Sequence, residues 1–110
     1  MVDDLTRQLA LTRQQVDQRL GMGDQLGTPR ATDHSSECKK RTSAVAAAEE
    51  LVALGYEVTL GKRGLTMVLL EAGKISSVDL ATAEAFTRGV FDVVAGHGGD
   101  YDGWGGSVEE

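Results

Sequence analysis

Cysteine and proline each occur once in these 110 residues, as Cys38 and Pro29. A single cysteine excludes an internal disulfide and any multi-cysteine zinc centre, and it suits a reducing compartment. With one proline there is no proline-rich linker. Aromatic residues are scarce at 5%. No run of about 18 apolar residues occurs, so no membrane span is expected. The opening "MVDDLTRQLALTRQQ" has no basic patch ahead of an apolar run and is not a secretory signal. A soluble, cytoplasmic protein is expected. The length suits one small domain rather than two cores.

The net charge of −6 is unevenly placed. Residues 1–29 and 30–74 are close to neutral, whereas residues 75–110 set Arg88 against seven acids. Such a C-terminal third repels nucleic acid and suits a basic protein partner.

Residues 3–20 read as a helix, with Leu5, Leu9, Val16 and Leu20 on one stripe through Thr12. Asp3 and Asp4 suit its N-terminal dipole, and Gly21 and Gly23 stop it. A stripe this thin must dock on the body or on a partner. The sequence divides into this helix with its glycine-rich connector, 1–29, and a body, 30–110. "RATDHSSEC" (30–38) alternates Thr32, His34, Ser36 and Cys38 as a weak, polar strand. "TSAVAAAEELVAL" (42–54) is a helix capped by Thr42 or Ser43 and ended by Gly55, with Val45, Ala48 and Val52 as its buried stripe beside Leu51. "YEVTL" (56–60) alternates as a half-buried strand, "GKRG" (61–64) forms a hairpin connection, and "LTMVLLEA" (65–72) is apolar enough for a central strand. Ser76 and Asp79 make a capping box. It opens a helix that runs to about Gly96, with Ala83, Phe86, Val90, Val93, Val94 and His97 on one face. "YDGWGGSV" is a final strand.

Helix, then strand–helix–strand twice, is the split β-α-β layout of ferredoxin-like α+β folds: an antiparallel four-stranded sheet with two helices on one face, here with an extra N-terminal helix. That layout puts the first and third strands in the centre, where the polar first strand fits poorly.

"LGYEV" (54–58) and "GGDYDGWG" (98–105), at this separation, resemble the RraB family of protein regulators of ribonuclease E activity. The matching motif positions are Gly55, Tyr56, Glu57 and Val58, then Tyr101, Asp102, Gly103, Trp104 and Gly105. The resemblance implies the same ferredoxin-like body after an N-terminal helix. It also implies binding to the non-catalytic scaffold region of ribonuclease E, restraint of RNA decay, and no enzyme activity. Many members of that family end in a long acidic tail, whereas this sequence stops at Glu110. Ser35 and Glu37 stand where some members carry aromatics, and Gly106 stands where a threonine is common.

An enzyme would draw on His34, His97, Cys38, Asp100 or Asp102. On one strand face His34 and Cys38 stand roughly 13 Å apart, too far for a nucleophile–base pair. "HGGDYD" offers His97, Asp100 and Asp102 to a metal, but without a ligand-spacing signature; the aspartates read as turn and strand-edge residues. No cofactor and no metal are expected. Lys39, Lys40 and Arg41, with Lys62 and Arg63, read as solvated charge rather than an RNA surface, because few aromatics accompany them. Tyr101 and Trp104 are hot-spot residue types. Their odd spacing on a regular strand would turn one ring to the core and the other to a partner. Asp100, Tyr101, Asp102, Trp104, Glu109 and Glu110 are therefore the expected contacts with a protein partner, ribonuclease E or a related nuclease. Two other readings stand: an immunity- or antitoxin-like or dimeric binding protein on the same scaffold, and a small-ligand or metal binder using residues 97–104.

Overall fold

The computed structural model describes residues 4–110. Its elements run α1 (Asp4–Gly21), β1 (Arg30–Cys38), α2 (Arg41–Ala53), β2 (Glu57–Arg63), β3 (Met67–Ser76), α3 (Leu80–Gly96) and β4 (Asp100–Gly106). Every strand pairing is antiparallel and the sheet order is β2-β3-β1-β4, the ferredoxin-like order with β1 and β3 central. Asp3, expected beside Asp4 at the first helix end, lies outside the described residues.

Helices α2 and α3 cover one face of the sheet. Ala47 and Leu51 of α2, Val90 and Val94 of α3, Leu70 and Ala72 of β3, and Tyr101 of β4 form the main buried cluster. A fully buried leucine or valine contributes about 1.5–3 kcal/mol, so this layer is the chief source of stability.

β1 is central in spite of its polarity because the inward Arg30, Thr32 and His34 each find local partners, although the buried Ser36 hydroxyl has none among the described residues. The Thr32 hydroxyl donates to the Lys74 carbonyl at 2.7 Å, and His34 Nδ1 meets the Tyr101 hydroxyl at 2.8 Å. β3 and β4 satisfy its backbone on both edges. Hydrogen-bonded polar groups are tolerated at such depth.

Several local expectations are corrected. α2 is turned by one residue, so that Ala44, Ala47 and Leu51 face the sheet while Val45 and Val52 are exposed. Alanines at the contact let the helix approach closely, which the bulkier valines would prevent. Lys40 occupies the N-cap with no side-chain bond, and Thr42 and Ser43 lie within the helix. Gly61 to Arg63 belong to β2, and the turn is made by residues 64–66. β3 runs on to Ser76. Asp79, not Ser76, caps α3, accepting from the Thr82 N–H at 3.2 Å.

α1 packs along α3. Its buried residues are Thr12, Val16 and Arg19, whereas Leu20 is exposed. The Thr12 and Thr87 hydroxyls meet at 2.8 Å, and Trp104 Nε1 donates to Thr12 at 3.1 Å. The polar break in the predicted stripe is thus where the helix docks.

Candidate functional site

Strand alternation sends β1 residues 30, 32, 34, 36 and 38 toward the helices and the odd-numbered ones to the opposite, open face. Register then assembles an acidic surface there. Asp33 and Glu37 of β1, Glu57 of β2, Glu71 of β3 and Asp100 of β4 all fall on the open face. Asp102 joins them: Arg63 Nη1 sits 2.6 Å from Glu37 Oε1 and 4.0 Å from Asp102 Oδ2. A groove of about 680 Å³ separates this face from α1, with Gln8, Gln15 and Gln18 on one wall and Asp33, Ser35 and Asp102 on the other.

The two rings of β4 do not point to opposite faces. β1 pairs His34 with Trp104 and Ser36 with Tyr101, with a bulge between them, so Asp102 is the extra residue. Gly103 has φ +130°, a backbone region that favours glycine. The bulge shifts the alternation by one and turns both rings toward the helix layer. Tyr101 is buried; burial, then the neighbouring Tyr56, pushes its phenol pKa up. Trp104 is half-buried, edge-on to Phe86 at 4.8 Å and capped by the Arg19 guanidinium at 5.1 Å. Gly103→Ala should lower the unfolding free energy by about 2 kcal/mol, measured by urea titration with Trp104 fluorescence as the probe.

Below the rings the C-terminal residues are tied to α1 and β1. Arg19 donates to the Gly106 and Ser107 carbonyls, and Arg30 to the Gln25, Thr28 and Ser107 carbonyls. Asp24 lies between the two guanidinium groups. Glu109 contributes its backbone here, its carbonyl accepting from Gln25 N–H at 2.6 Å.

The candidate chemical groups are scattered. His34 is fully buried, and burial lowers its pKa to about 4. Cys38 is buried, its thiol pushed up by burial and by Asp100. His97 Nε2 meets Glu50 Oε1 at 2.8 Å. No group of three or more His, Cys, Asp or Glu side chains gathers to hold a metal among the described residues, so His97, Asp100 and Asp102 do not converge. Among those residues no helix is long and apolar enough to cross a membrane.

The family model described as "Regulator of ribonuclease activity B" matches residues 9–106. The chain belongs to the RraB family. Among curated proteins, no sequence match was found. For an RraB chain the "YDGWG" stretch now has a structural role: it is the bulged strand that folds two rings against α1 and α3 and leaves Asp102 outside. Ser35 and Glu37, the departures in β1, both lie on the open face. Asp33 and Glu71 carry no mark of a shared acidic face in the sequence, because residues 30–74 are nearly neutral in sum. Period-two spacing was the available signal, since it separates these acids from the inward residues of the same strands.

Proposed function

We propose that this protein binds ribonuclease E and restrains RNA decay by protein contact in the cytoplasm, without catalysis of its own. Family membership supports a regulator of ribonuclease activity. The acidic open face supports the mode of contact: a sheet surface carrying Asp33, Glu57, Glu71, Asp100 and Asp102 suits a basic segment of the nuclease. Charges of this kind steer encounter and select the partner. Asp100 and Asp102 serve as contacts on this reading. Tyr101 and Trp104 shape the surface from beneath through the bulge, and Glu109 and Glu110 extend the negative charge past β4.

Capture of purified full-length ribonuclease E at low salt tests the reading. Binding is expected to weaken on raising the salt, and roughly tenfold or more in the Glu71→Lys/Asp102→Lys variant. Unfolding stability should stay within about 0.5 kcal/mol of the parent, since both positions are exposed. Absence of capture at low salt would sink the proposal. Binding indifferent to both charge reversals would move the contact off this face.

A further inference from the structure

The two edges of the sheet differ. Along β4, α1 supplies donors: Gln8 Nε2 reaches the Tyr101 carbonyl at 3.1 Å and Arg19 Nη2 the Gly106 carbonyl at 2.9 Å. Strand β2 is the other edge. β3 pairs with one side of it, and among the described residues no strand or helix donor covers the other. A bare edge is a template for another strand unless its side chains forbid the pairing.

Here the side chains favour one particular partner. The strand reads EVTLGKR from Glu57 to Arg63, with its acid and its terminal base equally far from Leu60. If a second copy pairs antiparallel about a two-fold axis at Leu60, Glu57 stands opposite Arg63 of the second copy, and the symmetry repeats the pair. Both side chains belong to the open face, so the contact is a direct cross-strand ion pair. On the helix side Leu60 meets its own counterpart, and Val58 meets Lys62 of the second copy. That lysine then lies under the C-terminal end of α2, where a cation is favoured.

α2 fits the same axis. It contacts both β2 and β3, so it sits roughly half a strand spacing inside the edge. Two edges joined at ~4.8 Å put the two copies of α2 about 10 Å apart, the separation of packed helices. The N-terminal part of α2 (Ala44) packs with Val68, the register partner of Lys62, and its C-terminus leads into β2. Its midpoint, near Ala48, therefore lies over Leu60. The flank of α2 opposite Glu50, whose carboxylate meets His97 at the end of α3, carries exposed valines: Val45 is 39% exposed and Val52 57%. About the axis, Val45 of one copy approaches Val52 of the other. Charge register, helix spacing and the exposed valines agree on one arrangement.

We propose that this chain forms a two-fold homodimer through its β2 edges and α2 faces, joining two sheets into one of eight strands. The two acidic faces then lie side by side. Sedimentation equilibrium of the full chain at tens of micromolar is expected to give twice the 11.7 kDa chain mass. Glu57→Arg and Arg63→Glu should each weaken the dimer roughly tenfold or more, because symmetry turns two attractive pairs repulsive. The double variant Glu57→Arg/Arg63→Glu should recover it. Val52→Glu should also weaken it while the far-UV circular dichroism stays that of the parent. A monomer at every concentration up to about a millimolar overturns the proposal. So does a dimer that neither single reversal weakens, or one that the double variant fails to restore.

Discussion

Asp24→Ala is expected to lower the unfolding free energy by about 3–5 kcal/mol, the largest loss from any single substitution considered. The Asp24 side chain is fully buried between Arg30 and Arg19, which are themselves 2% and 6% exposed. Arg30 Nη1 donates to both carboxylate oxygens at 2.7 Å, Arg19 Nη1 to one at 3.3 Å, and the Glu109 N–H at 3.4 Å. Deleting the carboxylate leaves two buried guanidinium groups without a counter-charge, a far larger cost than an exposed pair would incur. Small domains have only about 5–15 kcal/mol in all. Urea unfolding at pH 7 measures the loss. The same site ties the end of α1, the start of β1 and residues 106–109 together, so proteolysis near the C-terminus should accelerate in the variant. Burial alone would raise the Asp24 pKa. The hydrogen bonds from Arg30, Glu109 and Arg19 outweigh it and hold the carboxyl below its ordinary value of 3.8. The contribution is therefore present above the unfolded pKa, near 4, and is lost only as the pH falls below that.

That cluster was not legible in the sequence. Asp24 sits in "GMGDQLGTP", which reads as a glycine-rich connector, and Arg19 sits where Leu20 continues the apolar stripe. A buried charge and a solvated one look alike in a sequence; only the return of the chain end beside α1 distinguishes them. The order of elements was legible, because long elements with clear period or glycine stops do not depend on distant neighbours. The rotation of α2 was not. Val45–Ala48–Val52 and Ala44–Ala47–Leu51 are adjacent stripes on one helix, and the choice between them turns on how closely the backbone approaches the sheet. In β4 a glycine within a strand was a signal for a bulge. Reading Gly103 that way would have placed both rings on one face. The acidic face was half visible: alternation supplies the parity of each acid within its strand, but pairing four strands in register is what brings the acids together.

Between pH 7 and pH 4.5 the protein should lose stability in proportion to one proton, and His34 should be the cause. The ring is fully buried on the central strand, with Phe86, Tyr56 and Tyr101 at centroid distances of 5.0, 5.7 and 5.9 Å. Nδ1 is engaged by the Tyr101 hydroxyl, while Nε2 has no partner among the described residues. Tyr56 and Tyr101 are themselves pushed up by burial and remain neutral, so no anion stabilises an imidazolium there. Burial therefore lowers the His34 pKa from 6.5 to about 4. The unfolded chain binds a proton below pH 6.5 and the folded chain does not until about pH 4, so unfolding gains as the pH falls through that window. The stability is fully present above pH 6.5 and the loss approaches about 3 kcal/mol near pH 4. Urea midpoints at half-unit steps of pH measure it. His34→Gln should start less stable at pH 7 and then stay flat to pH 5. A parent protein equally stable at pH 7 and pH 5 would show that the folded chain takes up the proton as readily as the unfolded one. Phe86 touches both His34 and Trp104 edge-on, so tryptophan emission reports directly on the layer in which the buried ring sits. Asp24 acts below this window and His34 within it, and the two variants therefore separate the acid limb of the stability curve into a carboxylate part and an imidazole part.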